Sequence, residues 1–520
     1  MAASILSRAL GGLKRPAVSL LDRTYTYEEL LATARRVSKN LAANRAKEDE
    51  CVGILAESGP DYVVATWATW LSGRVAVPLS PSYPNKELGY FVQNCEAVKL
   101  LHSRSLATRA AELTGLVGVE PAIVDVEGSG DSGRVALLEQ DHREDIEEAL
   151  GRIDSDDGAL VVYTSGTTGK PKGALHTHGS LEYQMRSMTE AWRWRESDKI
   201  LHCLPLHHIH GIVNALYCPH FNSAHVRFLA SPFSPERVWE SLAVDDEISV
   251  FMGVPTMYAY LLSHLEGLSS SEPGERGNDH AKYARAAEKL RLTVSGSSAC
   301  PVTVMERWED ISGGVLLERY GMSETGMILS NPYNTQERLV GTVGKPMPYV
   351  EVETSEEGEL LVKSKCMMKG YYGMPEETEA AFVQLGHKGL YFKTGDCVEL
   401  NEDSGVYTVK GRMSADIIKH KGYKVSALDV ENVLLSHGGI KECAVVGIDH
   451  DLFGQAIVAV VVKVARASKS GSLDTLADLR AFCKDHLADY QIPQRVEFVD
   501  EIPRNAMGKV NKKELASKLL

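Results

Sequence analysis

Short apolar segments recur along the first half of the chain, and the stretches between them are long enough for a helix each. Examples are Cys51–Leu55, Ala76–Leu79, Val98–Leu101 and Ala122–Asp125. Short apolar runs that are rich in β-branched residues indicate buried strands. Strands that alternate with helices are typical of an α/β fold with largely parallel sheets. We therefore predict an α/β protein.

The chain is too long for one hydrophobic core, because cores stop growing at about 250–300 residues and this chain has 520. The pattern changes near Gly411–Ser414. We predict a large N-terminal domain over residues 1–412 and a small α+β C-terminal domain over residues 413–520. The predicted elements of the small domain are a helix over 427–437, strands over 442–447 and 456–464, a helix over 473–488 and a strand over 496–499.

Three local patterns give further predictions. Thr26 and Glu29 form a capping box at the start of a helix. The stretch Gly267–Lys289, which contains three consecutive serines and many charges, is predicted to be a long surface loop, and Gly128–Gly133 a shorter one.

Composition excludes several classes of protein. The formal net charge of −14 argues against a nucleic-acid-binding surface. No apolar run approaches the roughly 20 residues that span a bilayer. The nine cysteines show no CxxC spacing, and the pair Cys483 and His486 has no second pair to complete a zinc site, so buried thiols in a reducing compartment are expected.

The first 15 residues are basic and contain no acidic residue. This suits a mitochondrial presequence, but it equally suits the first helix of the domain. We predict a cytoplasmic protein, with the mitochondrion as the alternative.

The segment Tyr163–Gly173 is predicted to bind phosphate. Its eleven residues contain three glycines, four aliphatic hydroxyls and two lysines, and an apolar run precedes it. Glycines allow close approach of the backbone to a ligand, while hydroxyls, N–H groups and lysines attract phosphate oxygens. A P-loop would need glycine at position 164 and Ser or Thr at position 171, where this chain has Thr164 and Pro171. The candidate phosphate ligands are Thr164, Ser165, Gly166, Thr167, Thr168, Gly169, Lys170 and Lys172.

Four further clusters follow this loop along the chain: Glu318–Thr325, Tyr391–Asp396, Arg412 and Ile502–Lys509. Glu324 and the Thr164 hydroxyl supply oxygen atoms of the kind that hold Mg²⁺ beside phosphates. Tyr320 offers a flat face for adenine, and Asp396, after a Thr-Gly turn, suits the two ribose hydroxyls. Lys509, on a glycine turn near the end of the chain, is suited to an α-phosphate and an attacking carboxylate.

The loop and these clusters, in this order, resemble the adenylate-forming superfamily of acyl-CoA synthetases, luciferases and peptide-synthetase adenylation domains. The resemblance implies that ATP, Mg²⁺ and coenzyme A are used, and that the C-terminal domain is mobile. It places Ser297, Glu318, Gly321, Met322, Ser323 and Arg412 at the nucleotide. It also gives Lys509 as the catalytic lysine and places Lys419, Lys421 and Gly422 near coenzyme A. The segment after Arg412 is one residue longer than is usual, so that the hinge is Ser414 or Ala415.

The identity of the acid depends on another set of residues. A guanidinium fits a carboxylate, and burying one without a partner is costly. Arg291 and His210, with hydroxyls such as Ser297, therefore suggest a second carboxylate on the substrate, and His208 lies close by in sequence. Arg291 has an equally good interpretation as the partner of a structural acid.

The stretches Leu204–Gly211, Leu317–Pro332 and Asp416–Ala427 resemble malonyl-CoA synthetases in particular. In that family an arginine and a histidine hold the distal carboxylate, and the resemblance assigns these roles to Arg291 and His210. It implies that malonate is the substrate. The alternative is another acyl-CoA synthetase, for a short-chain, medium-chain or aryl acid.

Overall fold

The structure is a computed structural model, and it describes residues 4–41, 47–126, 140–164, 170–230, 232–269, 275–450, 452–464, 473–504 and 510–519. The predicted loop at Gly128–Gly133 lies outside these residues. So do Lys509 and the residues Ser165, Gly166, Thr167, Thr168 and Gly169 of the predicted phosphate loop.

Strands and helices alternate along the chain as predicted. The strands are β1 (Pro16–Leu20), β2 (Arg23–Thr26), β3 (Cys51–Leu55), β4 (Val75–Pro78), β5 (Lys99–Ser103), β6 (Glu120–Val124), β7 (Gly158–Thr164), β8 (Lys172–Thr177), β9 (Lys199–His202), β10 (His225–Phe228), β11 (Val250–Gly253), β12 (Leu292–Ser295), β13 (Leu317–Met322), β14 (Gly326–Ser330), β15 (Lys345–Pro346), β16 (Val350–Thr354), β17 (Glu359–Ser364), β18 (Gly370–Tyr371), β19 (Phe382–Gln384), β20 (Leu390–Asn401), β21 (Val406–Arg412), β22 (Ile417–His420), β23 (Tyr423–Ser426), β24 (Ile440–His450), β25 (Gly454–Lys463) and β26 (Arg495–Phe498).

The α-helices are α1 (Ser4–Gly11), α2 (Tyr27–Leu41), α3 (Pro60–Leu71), α4 (Asn85–Asn94), α5 (Ala107–Val117), α6 (Gln140–Gly151), α7 (His178–Trp192), α8 (Cys218–Phe221), α9 (Pro235–Val244), α10 (Pro255–Ser269), α11 (Glu275–Glu288), α12 (Val302–Ser312), α13 (Pro375–Ala380), α14 (Ala427–Leu435), α15 (Leu476–Lys484) and α16 (Lys512–Leu519). A π-helix spans His210–Tyr217. Single turns of 3₁₀-helix span Arg104–Leu106, Thr335–Glu337, Gly386–Lys388 and Asp489–Gln491.

Two large sheets confirm the predicted α/β class. The N-terminal sheet has the strand order β18-β8-β7-β4-β3-β5-β6, and it is parallel from β7 to the edge strand β6. The central sheet has the order β15-β14-β13-β12-β11-β9-β10-β1-β2 and is parallel from β13 to β1. Strands β3 and β4 are buried along their whole length, as expected for strands covered on both faces.

The main hydrophobic core lies between these two sheets. Helix α3 contacts β3 and β4 of the N-terminal sheet on one side and β1 of the central sheet on the other. Its Trp67 stacks on Tyr27 of α2, and Trp70 Nε1 donates a hydrogen bond of 2.8 Å to the Ala159 carbonyl of β7. The wide apolar face of α3 therefore joins the two sheets.

Two smaller sheets complete the fold. The small antiparallel sheet has the order β16-β17-β20-β19, with β21 paired to β20. The C-terminal sheet has the order β23-β22-β25-β24, with β26 paired to β25, and has its own buried apolar cluster around Ile418, Val445 and Ala459. Strands β24, β25 and β26 overlap the three strands that the sequence predicts, whereas β22 and β23 have no predicted counterpart. The boundary between residues 412 and 413 falls at the end of β21.

The local predictions have mixed outcomes. The capping box is confirmed: Thr26 N donates to Glu29 Oε2 over 2.7 Å, and Glu29 N donates to Thr26 Oγ1 over 3.3 Å. The predicted surface loop at Gly267–Lys289 is wrong over most of its length, because helix α11 occupies Glu275–Glu288 and buries Ala286 and Ala287.

Candidate active site

The predicted phosphate loop connects β7 to β8 in the N-terminal sheet. β7 ends at Thr164 and β8 begins at Lys172, and these two residues are paired across the strands. Thr164 Oγ1 donates to the Lys172 carbonyl over 3.4 Å. The two ends of the predicted loop therefore meet at the carboxyl edge of β7, where parallel sheets commonly bind ligands.

Aromatic residues support the base of this loop. Tyr163 stacks on Phe91 with 4.3 Å between ring centroids. The Tyr90 hydroxyl donates to the Pro171 carbonyl over 2.8 Å, and Lys170 Nζ lies 5.6 Å from the centre of the Tyr90 ring. These contacts fix the backbone next to the lysines that are predicted to bind phosphate.

Tyr371 connects the end of the loop to the hairpin that carries Glu324. Its hydroxyl donates to Glu324 Oε1 over 3.0 Å, and Lys172 Nζ lies 5.0 Å from the centre of its ring. His176 Nε2 lies 2.6 Å from the Ser323 carbonyl, which ties β8 to the same hairpin. Two segments that are 150 residues apart in sequence, as Lys172 and Met322 are, thus face one space.

Glu324 has the chemistry expected for a magnesium ligand. Its side chain is buried, and this burial raises the pKa of the carboxyl group, although the Tyr371 hydroxyl and Arg412 oppose the shift. A divalent cation would stabilise the charged carboxylate. No cluster of three or more His, Cys, Asp or Glu ligands occurs among the described residues. This fits Mg²⁺, which proteins commonly hold through one or two carboxylates together with substrate phosphates.

The residues predicted at the ribose lie together where β20 pairs with β21. Asp396 is opposite Arg412 in the register, and Arg412 Nε lies 2.9 Å from Asp396 Oδ1. The Tyr320 hydroxyl donates to Asp396 Oδ2 over 2.5 Å. Arg412 also donates through Nη1 to the Thr394 carbonyl over 3.0 Å. The structure thus brings Tyr320, Asp396 and Arg412 together; their roles at the nucleotide remain predictions.

The remaining nucleotide candidates shape strand β13 and the hairpin after it. Glu318 Oε1 accepts a hydrogen bond of 2.8 Å from Cys300 N, and burial raises the pKa of this carboxyl group to about 7. A Cβ atom on Gly321 would lie 2.4 Å from the Gly326 carbonyl oxygen, so the tight hairpin requires glycine there. Met322 is the last residue of β13 and pairs with Gly326.

A polar pocket forms where β12, β13 and the π-helix meet. Ser297, in the turn after β12, has a φ of +75°, a strained value for a residue with a side chain. Its Oγ lies 3.3 Å from Nδ1 of His210, the first residue of the π-helix. His210 Nε2 is buried and has no hydrogen-bond partner among the described residues. Burial and the positive charge of Arg319 hold the pKa of His210 well below its usual range.

Arg319 provides a buried positive charge at this pocket. Its Nε and Nη2 atoms are buried without a hydrogen-bond partner in the described part of the chain. Burial lowers the pKa of its guanidinium to about 9, although Glu318 opposes the shift. The Arg319 guanidinium packs directly against Gly296. A Cβ atom on residue 296 would lie 2.5 Å from Arg319 Cζ, so a larger residue there would collide with it. Within the described ranges, this buried cation thus forms no hydrogen-bonded ion pair, and Glu318 acts on it through its charge alone.

The structure pairs Arg291 with an acid, as in the second of the two interpretations that the sequence left open. Its Nε donates to Asp198 Oδ1 over 2.6 Å, its Nη2 donates to Asp198 Oδ2, and its Nη1 donates to the Trp192 carbonyl over 3.2 Å. Asp198 raises the pKa of Arg291 even though burial lowers it. Three of the five N–H donors of this guanidinium are thus bound within the protein, and its role at the substrate stays a prediction.

His208 lies next to His207 and close enough to His210 for its charge to lower the pKa of that ring. Its ring packs against that of His207 with 4.2 Å between centroids, and His207 contacts the edge of Tyr83 at 5.0 Å. Burial lowers the pKa of His207 to about 4, so this ring is neutral at pH 7. Whether His208 contacts the substrate remains a prediction.

The residues predicted near coenzyme A lie on the hairpin formed by β22 and β23. Lys421 and Gly422 form its turn, with φ values of +50° and +84°. Lys421 Nζ lies 4.7 Å from the centre of the Phe453 ring, and Lys419 N donates to Gln455 Oε1 over 2.9 Å. Lys424 Nζ donates to the Glu357 carbonyl over 3.0 Å, which joins this hairpin to the small antiparallel sheet.

Comparisons with known proteins identify the family. The model of the AMP-binding enzymes matches residues 8–372, and that of their C-terminal domain matches residues 429–509. The chain belongs to the AMP-binding enzymes.

Relatives of this AMP-binding enzyme include several malonate–CoA ligases. The malonate–CoA ligase of Arabidopsis thaliana is 41% identical, over 99% of this chain and 88% of the relative. The mitochondrial malonate–CoA ligase of Homo sapiens is 37% identical, over 99% of this chain and 91% of the relative. ATP-bound MatB from Rhodopseudomonas palustris superposes with a TM-score of 0.80 at 29% identity, over 100% of this chain and 99% of that one.

The AMP-binding enzyme contains one candidate that the sequence analysis missed. Arg319 lies between Glu318 and Tyr320, which were both singled out. Side chains alternate between the two faces of a strand, so Arg319 points away from the nucleotide candidates and towards His210. This alternation was the available signal. Separately, none of its described helices is long and apolar enough to cross a membrane.

Proposed function

We propose that this enzyme joins malonate to coenzyme A at the expense of ATP, which it cleaves to AMP and pyrophosphate. The product is malonyl-CoA, and the enzyme is an AMP-forming acid–thiol ligase. Its similarity over nearly the full length to malonate–CoA ligases supports the proposal. One structural observation carries it: Arg319 is a buried guanidinium with unpartnered nitrogen atoms, next to His210 and Ser297.

A dicarboxylic acid satisfies this pocket better than an apolar acid does. A buried cation without a partner is unfavourable by several kcal/mol, and a carboxylate restores this loss through two parallel hydrogen bonds. The distal carboxylate of malonate can accept from Arg319, while Ser297 and His210 supply further polar contacts. A fatty or aryl acid would leave the guanidinium unpaired, so the same pocket disfavours such substrates.

The reaction proceeds in two steps with balanced charge and atoms. An oxygen of the reacting malonate carboxylate attacks the α-phosphorus of ATP, and the bond to the β-phosphate oxygen breaks to release pyrophosphate. The thiol sulfur of coenzyme A then attacks the carbonyl carbon of malonyl-adenylate. AMP leaves with the bonding electrons, and the thiol proton passes to solvent. AMP replaces oxide as the leaving group, which makes the second step feasible.

The chain's own residues orient the nucleotide and neutralise its charge. We assign the phosphates to the loop that begins at Thr164 and to Lys172, and the ribose hydroxyls to Asp396 with Arg412 beside it. Lys509 would neutralise the α-phosphate and the attacking carboxylate during the first step. Magnesium, held by Glu324 and Thr164, would supply charge neutralisation at the phosphates.

The division into two domains at residues 412 and 413 belongs to this proposal. The first step needs Lys509 at the α-phosphate, whereas the second needs access for the thiol. Rotation of the smaller domain about Ser414 or Ala415 would satisfy both requirements. The hairpin with Lys419, Lys421 and Gly422 would then approach coenzyme A.

We further propose that the enzyme acts in the cytoplasm. Ile5, Leu6 and Ala9 of α1 are buried against the core, which supports the interpretation of this segment as part of the folded domain. The names of two relatives state a mitochondrial location, which supports the mitochondrion as the alternative. Co-fractionation of the protein with a mitochondrial matrix marker would overturn this part of the proposal.

Arg319→Met tests the assignment of the substrate. Pyrophosphate release is measured with malonate, methylmalonate, acetate, octanoate and benzoate. For the wild type we expect malonate to give the highest kcat/KM. The variant should lose at least about 100-fold in kcat/KM for malonate, since removing a buried charge partner costs about 2–5 kcal/mol. The KM for ATP should change little.

Arg227→Met is the matched control, because Arg227 lies in the same central sheet and is paired with Asp245 far from the pocket. It should keep the malonate activity of the wild type. Octanoate, acetate or benzoate as the best wild-type substrate would refute the malonate proposal and favour another acyl-CoA synthetase. Unchanged malonate turnover in Arg319→Met would refute the role of Arg319 alone.

A further inference from the structure

A buried group of three charges links distant parts of the C-terminal region. Lys512 Nζ lies 2.6 Å from Asp416 Oδ1 and 2.6 Å from Glu431 Oε1. The three side chains are each 13% exposed. Lys512 opens α16, Asp416 precedes β22, and Glu431 lies on α14. We call these three residues the Lys512 triad.

Each carboxylate of the Lys512 triad also holds a backbone N–H group. Asp416 Oδ2 accepts a hydrogen bond of 2.8 Å from Arg412 N. Glu431 Oε1 accepts one of 2.6 Å from Val445 N in β24. Lys512 is thereby connected both to the end of β21 and to the C-terminal sheet.

Asp416 closes the turn that contains the two predicted hinge residues. Asp416 N and Ala415 N both donate to the Arg412 carbonyl, over 2.8 and 3.2 Å. Gly411, with a φ of +113°, permits close packing here, since a Cβ atom on it would lie 2.4 Å from Asp416 Cβ. The carboxylate of Asp416 is thus shared between this turn and Lys512.

Lys512 itself lies shortly after the segment that carries Lys509. Arg504 and Val510, which flank residues 505–509, form an antiparallel bridge. Lys512 follows Val510 by two residues, at the first position of α16. Its ammonium group therefore fixes the backbone directly after the segment 505–509.

Electrostatics make this arrangement sensitive to loss of the lysine. Burial alone would lower the pKa of Lys512, but Glu431 and Asp416 raise it, so the ammonium stays charged. Without it, two buried carboxylates would face each other with no cation between them, which is strongly unfavourable. The triad requires the lysine for its geometry.

We propose that Lys512 is a positioning residue for the first half-reaction: through Asp416 it holds the start of α16, which follows Lys509 in the chain, against the turn at residues 412–416. This inference rests on the proposed function, because it assigns Lys509 to adenylate formation. Misplacing a catalytic group by about 1 Å can reduce a rate by about 100-fold. The second half-reaction does not use Lys509 and should be spared.

The two half-reactions are measured separately on Lys512→Met in the full-length protein. Pyrophosphate release from ATP and malonate reports the first, and malonyl-CoA formation from supplied malonyl-adenylate reports the second. We expect kcat for the first to fall about 100-fold and kcat for the second to stay within about threefold of the wild type. Lys509→Ala serves as the reference, with the same selective loss in a more severe form.

Lys513→Met is the matched control, since this neighbouring lysine is exposed; it should behave as the wild type in both assays. Asp416→Asn keeps an acceptor for Arg412 N but removes the charge, and it should show the selective loss even if Lys512→Met fails to fold. Equal loss in both half-reactions, or no loss in either, would overturn the inference. If the wild type prefers another acid, the malonate proposal fails, and the same comparison with that acid still tests Lys512.

Discussion

Two arginines with similar surroundings in sequence have different roles in the structure. Arg291 lies just before β12 and Arg319 lies within β13, the adjacent strand of the central sheet. Arg291 meets both oxygens of Asp198, whereas Arg319 Nε and Nη2 have no partner among the described residues. A buried arginine that is already paired stabilises the fold, and one that is unpaired is suited to a ligand.

Arg291→Ala should therefore impair folding stability rather than substrate choice. Removing one partner of a buried ion pair costs about 3–5 kcal/mol, because the other charge remains buried. We expect the urea midpoint of unfolding to fall markedly while the protein that remains folded keeps the KM of the wild type for malonate. The double variant Arg291→Met with Asp198→Leu should recover part of the stability. If the variant kept the stability of the wild type but lost malonate activity, the result would support a role for Arg291 in binding the substrate.

The sequence could predict the chemical groups of the pocket but not which arginine reaches it. His210 and Ser297 were predicted together, and the structure places them 3.3 Å apart. The partner of Arg291, Asp198, is 93 residues away in the chain, and no local pattern indicates such a pairing. Strand alternation alone would have directed attention to Arg319.

At the scale of elements, the π-helix His210–Tyr217 determines how the histidine is presented. π-Helical turns are uncommon and occur frequently at functional sites. Gly211 is needed at its start, because a Cβ atom there would lie 2.2 Å from the Pro205 carbonyl oxygen. The Gly211 carbonyl also lies 2.9 Å from His202 Nε2 at the end of β9. These contacts hold His210 against the carboxyl edge of the central sheet.

Helix α11 shows why one element was missed. The stretch Gly267–Lys289 is rich in serine and charge, which is typical of loops. Its apolar residues Tyr283, Ala286 and Ala287 are buried against α9 and α12. Only three apolar residues among the described side chains of this helix face the core, so the helical periodicity of the sequence is weak. The packing of these residues stabilises the helix in spite of its loop-like composition.

Helix α1 is the element whose role the sequence left open. Leu6 is 0% exposed, and the helix packs against α8, α2 and α6. Leu6→Ala should lower the free energy of unfolding by about 2–5 kcal/mol, as buried leucines generally do. Leu21→Ala, at a leucine that is 67% exposed, is the control and should change it little. Urea unfolding followed by fluorescence measures both; equal midpoints for the two variants would show that α1 does not stabilise the domain.

At the scale of the whole molecule, the alternation of strands and helices predicted the class of fold and five elements of the C-terminal region, but not β22, β23 or α16. It could not predict the order of strands. β1 pairs with β10 although more than 200 residues separate Leu20 from its partner Phe228. Such pairing depends on long-range packing, here through α3 between the two large sheets, and no local pattern encodes it.

The interior of the molecule also contains an unusual number of neutral histidines, which has a consequence for stability. His176, His178 and His202 are buried, and burial lowers the pKa of each from 6.5 to about 4. Burial lowers the pKa of His220 to about 3. The unfolded chain binds protons at these sites below pH 6.5, whereas the folded protein does so only near pH 4. Stability must therefore fall as the pH decreases through this window.

We expect each of these histidines to reduce the free energy of unfolding by about 2 kcal/mol at pH 5 relative to pH 7.5. Glu318 acts in the opposite direction, because its pKa is raised to about 7, but the histidines outnumber it. Urea midpoints at pH 7.5, 6 and 5 test this, and they should decrease in that order. His178→Gln should make the decrease less steep, since it removes one titrating group. Identical midpoints at pH 7.5 and 5 would mean that these histidines are accessible to protons in the folded protein.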